Sequence, residues 1–417
     1  KHGRAAQVEQ LLCEGMAVNQ RLVGGATALH LAARAGHVFV AAQLLRRGAE
    51  VDAAALEELV RCICGEEEQG AGRTKEPGVP RADPTMPRSP LRPRLFEPID
   101  LAPFVRPGDF SDEARRRSAT AWDESFRTVG FAVIDGHGVP PEVVSDLRTA
   151  ARMFFQSATD YKHRFYKGPQ MSGRSGYSPV SAGADPLEGF TFMRGDAASW
   201  MGTTETHPEE LNGIGQRYAA EVERVMHALH RMSAMALGLP DNYFDPFYAK
   251  PASVFVVSHY PPLRPPPAGV AIKDGKPRYR AHSDYSGFTI LLQDEQDFDA
   301  GESGGLEIDI DGTWVPVKPQ PGSFVINIGD LFELWTNDRW RSTPHRVVSP
   351  PLHAPAATRS RMTAMLFSGP SMDSIIAPMP TCVSAEQPAR YQSMSAADHM
   401  RAMYKTQSKE AVYKKAL

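Results

Sequence analysis

Arg280-Ala281-His282-Ser283-Asp284-Tyr285 is followed almost at once by the apolar run Phe288-Thr289-Ile290-Leu291-Leu292. If the first segment is extended like the run that follows, His282 and Asp284 leave the same face of one strand. His345, in Ser342-Thr343-Pro344-His345-Arg346-Val347, then needs only a neighbouring strand to bring its imidazole alongside. Two histidines and one carboxylate on one face of an octahedron leave three positions open on a metal such as Fe(II). Taken alone, a His-x-Asp pair is also compatible with a satisfied surface pair beside a core histidine, so the surrounding sequence has to decide.

From Ser253 onward the apolar period is two. Runs rich in β-formers lie at 253–258, 287–292, 306–310, 313–317, 323–328, 345–349 and 361–367. Asp311-Gly312 between two of them is a hairpin turn signal. Many short strands, with helices gathered ahead of them, predict a mainly β fold: a double-sheet jelly roll buttressed by helices. The Pro-rich stretch 261–280 is expected to be a loop at its mouth, and 395–405 a closing helix.

Further motifs stand in a fixed order around the candidate ligands. They are Tyr260-Pro261-Pro262, the run Thr289 to Glu295, Gly304-Gly305-Leu306-Glu307, Trp314-Val315-Pro316-Val317, the run Pro321 to Asp330, His345-Arg346-Val347-Val348 and Arg361-Met362-Thr363. Over about residues 97–405 this set resembles the isopenicillin N synthase-like family of Fe(II)/2-oxoglutarate-dependent dioxygenases. The resemblance implies a double-stranded β-helix with His282, Asp284 and His345 as iron ligands. It implies Fe(II) with 2-oxoglutarate and O2 as co-substrates, and oxidation of a small organic molecule, by hydroxylation or desaturation, with release of succinate and CO2.

Strand alternation puts Arg361 and Thr363 on one face, where a guanidinium fork and a hydroxyl can grip a carboxylate together. In the resembled family an Arg-x-Ser pair here takes the distal carboxylate of 2-oxoglutarate, and a tyrosine matching Tyr260 reaches it too. Ser258 stands where the family usually has Asn, and Arg359 is a competing candidate for the guanidinium. Substrate contacts in the family come from the regions of Tyr177, Phe190, Phe192 and Phe367. His137, in the family's His-Gly-Val turn, reads as structural. Two further readings remain open: an oxidase of the same family that uses no 2-oxoglutarate, and a non-catalytic ankyrin-containing adaptor.

Ahead of the strands, Ser111 with Asp112 and Glu113 reads as the cap of a helix that ends at Gly130. Phe131 to Ile134 is a strand, Pro140-Pro141 opens a second helix, and a long helix over 208–237 carries Tyr218, Val222, Val225, Met226, Leu229 and Met232 as core. Sliding the first residues against themselves by 33 aligns Gly3, Leu11, Leu12 and Gly15 with Gly36, Leu44, Leu45 and Gly48, which is the ankyrin period. Gly25 to Ala33 resembles the ankyrin turn-helix opening, so earlier repeats are expected to be missing. From Gly65 to Arg94, repeated prolines and almost no large apolar residue predict a disordered linker.

The expected organisation is therefore ankyrin repeats over 1–58, linker over 59–94, a mostly helical N-terminal dioxygenase region over 95–240, the jelly roll over 241–370 and a helical extension over 371–417. Net charge is -3 over 417 residues, which argues against nucleic acid as the main partner. Four scattered cysteines fit a reducing, cytoplasmic setting, and no apolar run is long enough to span a membrane. The chain opens at Lys1, so a targeting signal is not readable. A small-molecule substrate is expected, with a protein partner admitted by the ankyrin repeats.

Overall fold

The structure, a computed structural model, describes residues 96–166, 175–179, 187–194, 200–201, 208–263, 277–294, 305–351 and 354–406. The expected repeats at 1–58 and linker at 59–94 lie outside these residues. The chain divides into compact units between Arg88 and Ser89, and everything below concerns the second.

Its first half runs β1 (Ile99–Asp100), α1 (Asp112–Thr128), β2 (Phe131–Asp135), α2 (Pro141–Gln156), β3 (Gly176–Ser178), β4 (Glu188–Arg194), β5 (Trp200–Met201) and α3 (Glu209–Ala236). Ser111 caps α1 as the sequence predicts, its Oγ accepting from the Ala114 N–H at 3.3 Å. Gly130 ends the segment at φ 69°, where an added Cβ would fall 2.3 Å from the Arg341 carbonyl oxygen, so only glycine closes this turn. His137 is structural: one ring nitrogen meets the Gly322 carbonyl at 3.1 Å and the other accepts from the Val139 N–H at 3.1 Å.

The second half runs β6 (Val254–Tyr260), β7 (Pro277–His282), β8 (Phe288–Leu292), β9 (Leu306–Ile310), β10 (Thr313–Pro316), β11 (Phe324–Ile328), α4 (Asp330–Trp335), β12 (His345–Val348), β13 (Arg361–Phe367) and α5 (Ala396–Thr406). Asp311 and Gly312 both take positive φ in the turn joining β9 to β10, as the dipeptide predicts. One difference lies in β7. Pro277-Arg278-Tyr279-Arg280 has no apolar alternation and reads as part of a loop, yet it pairs with β12 through an irregular register.

The strands form two sheets. The larger has the order β1-β2-β11-β8-β13-β6-β4-β3, with β5 on β4; the smaller is β10-β9-β12-β7. The two sheets pack against each other in a jelly roll. Pairing of β2 with β11 and of β4 with β6 carries the larger sheet through the N-terminal region, so residues 95–240 and 241–370 share one sheet and one core.

Alternation gives the larger sheet two distinct faces. Ile290, Leu292, Ile326, Ala364, Leu366, Phe255, Val257, Phe190 and Phe192 pack against Trp122 of α1, Phe154 of α2 and Tyr218 of α3. On the other face Val133, Val325 and Leu291 meet Leu306 and Ile308 of the smaller sheet. Helices therefore cover one side only, and the barrel interior opens on the other.

Candidate metal and co-substrate site

His282 closes β7 and His345 opens β12, and the two are direct cross-strand partners with ring centroids 4.3 Å apart. Asp284 follows in the connection to β8. One ligand atom from each of the three lies within 4.8 Å of the others, as the spacing in the sequence predicts.

Hydrogen bonds orient all three. The Nδ1 of His282 faces the Arg280 carbonyl at 3.0 Å and that of His345 faces the Thr343 carbonyl at 3.2 Å. A carbonyl only accepts, so both Nδ1 atoms carry the proton and both Nε2 atoms keep a lone pair. Those Nε2 atoms stand 3.7 Å and 3.9 Å from Oδ1 of Asp284. The other carboxylate oxygen, Oδ2, accepts from Thr289 Oγ1 at 2.5 Å and from Asn327 Nδ2 at 2.7 Å.

Burial pushes the Asp284 carboxyl up, but the His345 and His282 imidazoles and the Thr289 and Asn327 donors outweigh it and hold it below the usual carboxylate range. Burial, with His345 beside it, holds His282 below the usual histidine range. An ionised carboxylate and a neutral imidazole are the forms that bind a metal. Two nitrogens and one oxygen converging from fixed tautomers fit a divalent iron with positions to spare.

A second layer clamps the two ligand segments together. Asp330, at the start of α4, accepts from Ser283 Oγ at 3.3 Å and from Ser342 Oγ at 2.6 Å, and its N–H donates to the Asp284 carbonyl at 2.8 Å. Ser283 lies between two of the candidate ligands and Ser342 three residues before the third. Reading the sequence for ligands missed the supporting roles of Thr289, Asn327, Asp330 and Ser342, although all four sit inside the quoted motifs. Thr289 and Asn327 could have been found by alternation, since both face away from the apolar side of their strands.

Arg361 and Tyr260 are cross-strand partners, as are Thr363 and Ser258. Arg361, Thr363 and Tyr260 are buried, and the Arg361 guanidinium carbon lies 5.4 Å from the centre of the Tyr260 ring. Phe367 pairs with Thr289, which holds Asp284, so alternation along β13 puts Arg361, Thr363 and Phe367 on the triad's side of the sheet. Arg359, the competing guanidinium, sits half-buried just before the strand.

Tyr177, Phe190 and Phe192 belong to the opposite face. Phe190 lies 5.2 Å and Tyr177 5.6 Å from the Phe154 ring of α2, and Phe192 stacks on Phe255 at 5.3 Å. They wall the sheet off from the helices. Strand phase decides this, and the regional likeness that singled them out carried no phase. In β4 it is Thr191 and Met193, one residue out of step, that share the triad's side.

Residues 251–370 match the 2OG-Fe(II) oxygenase superfamily and residues 97–210 match the N-terminal region of the non-haem dioxygenases in morphine synthesis. The dioxygenase region belongs to that superfamily. The chain is a non-haem Fe(II)- and 2-oxoglutarate-dependent dioxygenase. Residues 24–55 match an ankyrin repeat.

Among relatives of this oxygenase, gibberellin 20 oxidase 2 of Oryza sativa subsp. indica is 29% identical over 343 residues, covering 78% of this chain and 81% of that protein. A solved structure of JOX2 in complex with 2OG, Fe and JA is similar at 25% identity and a TM-score of 0.58, covering 72% of this chain and 82% of that one. The dioxygenase for auxin oxidation from rice shares the fold with a TM-score of 0.61 at 23% identity, covering 76% of this chain and all (100%) of that one. No helix among the described residues of the oxygenase is long and apolar enough to cross a membrane.

Proposed function

We propose that His282 and His345 hold Fe(II) through Nε2 and Asp284 through Oδ1, and that Arg361, Thr363 and Tyr260 take the distal carboxylate of 2-oxoglutarate. The observation that carries this reading is the convergence of three ligand atoms whose partner atoms are already tied by hydrogen bonds. Bound there, the metal supplies activation of O2 coupled to oxidative decarboxylation of the 2-oxo acid, which leaves an oxidant able to take hydrogen from a substrate.

The residues do the positioning. Asn327 and Thr289 fix one oxygen of Asp284 so that the other points between the imidazoles. Asp330 keeps the two ligand segments in register, and Arg361 with Thr363 sets the direction from which a 2-oxo acid enters. Phe367, with Thr191 and Met193 on the same face, supplies apolar wall for a small organic substrate that is hydroxylated or desaturated.

The domain organisation follows: ankyrin repeats that engage a protein partner, a linker, and a cytoplasmic enzyme. The buried Arg361-Thr363-Tyr260 group is the set this reading assigns to the 2-oxo acid's distal carboxylate. Titrating 2-oxoglutarate into the anaerobic Fe(II) protein, wild type and Arg361→Leu, and following the charge-transfer band of the chelate tests the assignment. A band weakened in the variant is expected; unchanged affinity moves the role to Arg359.

A further inference from the structure

Phe131 opens β2 on the barrel face of the larger sheet and is almost fully buried, at 1% exposure. Its ring meets the His345 imidazole nearly at right angles, with centroids 5.3 Å apart and planes at 74°. Strand register sets it beside the groups that hold another ligand. Phe131 pairs with Asn327, Asn327 with Thr289 and Thr289 with Phe367, so one row runs straight across four strands. Directly opposed residues share a face, and the middle two of this row hold Asp284. The end of the row on β2 reaches a second member of the triad, His345.

The main chain around Phe131 is tied to the segment that leads into His345. The Arg341 N–H donates to the Phe126 carbonyl at 3.0 Å, and Thr343 Oγ1 donates to the Val129 carbonyl at 2.8 Å. Between them, a Cβ added at Gly130 would fall 2.3 Å from Thr343 Oγ1. Ser125 Oγ anchors Phe131 itself, donating to its carbonyl at 2.6 Å. The bond from His345 Nδ1 to Thr343 fixes the tautomer and one direction in the ring plane; a close-packed ring at right angles limits the tilt out of it. His282 has its crossed ring from its own strand, Tyr279 at 4.8 Å, whereas that of His345 comes from the N-terminal region. We propose that Phe131 is a positioning residue for His345, and that the turn from α1 to β2 sets the direction in which the Nε2 of that ligand points. This rests on the assignment of His345 to the metal.

The test titrates Co(II), a spectroscopic stand-in for Fe(II), into the metal-free full chain and reads affinity and d–d bands. Phe131→Leu keeps an apolar side chain but removes the ring. It is expected to weaken Co(II) roughly 2- to 13-fold, the worth of a crossed aromatic pair, and to shift the d–d bands as the ligand direction relaxes. Val133→Ala is the control, a core deletion on the same strand and the same face, two residues farther on. It is expected to lower the midpoint of denaturant unfolding while leaving Co(II) affinity and bands at wild type. Thr343→Val removes the tie to Val129 and carries the same comparison if Phe131→Leu does not fold.

Wild-type affinity and bands in Phe131→Leu would overturn the proposal. Equal weakening by Val133→Ala would overturn it too, because loss of core stability would then account for the whole effect. The reading beneath it fails in a different way. His345→Ala with wild-type Co(II) affinity removes the ligand itself. A site that His345→Ala abolishes and Phe131→Leu leaves untouched keeps the triad and removes only Phe131.

Discussion

Two carboxylates are buried on opposite sides of the larger sheet, Asp284 facing the barrel and Glu188 facing the helices, and they are finished differently. Glu188 is closed. Lys162 Nζ at 2.8 Å and Tyr177 OH at 2.5 Å share one of its oxygens, and His259 Nδ1 reaches the other at 2.9 Å. Asp284 has one oxygen closed by two neutral donors and the other aimed at two imidazole nitrogens that carry lone pairs. A carboxylate with both oxygens held by donors locks elements together, here the segment after α2 and β3 to β4 and β6. A carboxylate half filled, with its open oxygen facing other lone pairs, is waiting for a cation.

Removing each group in turn breaks this contrast at its strongest point first. Asp284→Ala takes away the only anionic ligand, and iron content and succinate release are expected to fall to background while thermal unfolding stays cooperative; wild-type iron content in that variant would overturn the triad. Glu188→Ala leaves the Lys162 ammonium buried without its anion. It is expected to cost on the order of 3–5 kcal/mol of stability in denaturant unfolding, with iron affinity unchanged.

Acid should reveal the same group. Burial pushes the Glu188 carboxyl up, but hydrogen bonds from His259, Lys162 and Tyr177 outweigh it and leave it below the ordinary glutamate value of 4.5. The unfolded chain therefore takes up this proton first as pH falls. The Glu188 contribution is complete above that value and disappears as pH drops through the folded pKa, a loss that Glu188→Gln should no longer show.

Effects on the co-substrate come next in size. Arg361→Leu removes a charge-assisted, partly desolvated contact worth on the order of 2–5 kcal/mol, so 2-oxoglutarate affinity should fall roughly 30-fold to several thousand-fold with iron retained. A chelate band of unchanged affinity would move the role to Arg359. Thr363→Ala, which loses one hydroxyl contact, is expected to cost about 1 kcal/mol in the same titration.

Much of this was legible in the residues because the barrel's strands obey a strict period. The seven β-rich runs fall within two residues of β6 and β8 to β13, and the Asp311-Gly312 turn sits where the dipeptide puts it. That Arg361 and Thr363 share a face was readable because their spacing of two matches that period, whereas Asp284 lies just beyond the end of β7, so the strand period accounts for His282 and not for it. What the period does not encode is which face is which in a strand seen as a loop. β7 escaped because Arg278 and Arg280 are charged residues in an irregular ladder, and β4 escaped with it, so Phe190 and Phe192 were assigned to a cavity when they face Phe154 and Phe255. Asp330 escaped for another reason: its role is to join Ser283 to Ser342, and a bond between segments so far apart in the chain leaves no local pattern.

Pairing of β2 with β11 puts Ile134 beside Phe324. On the ribosome, β2 is finished long before its partner exists, so Val133 and Ile134 wait as exposed apolar strand while most of the enzyme is still being made. Closure of so long a loop is a slow step, and until it occurs the edge of β11 that carries Asn327 is open to any other strand. The residue that steers Asp284 therefore lies on a strand whose seam with β2 is sealed across a long stretch of chain. A chain interrupted during synthesis should aggregate through that seam, and should do so without ever having held iron.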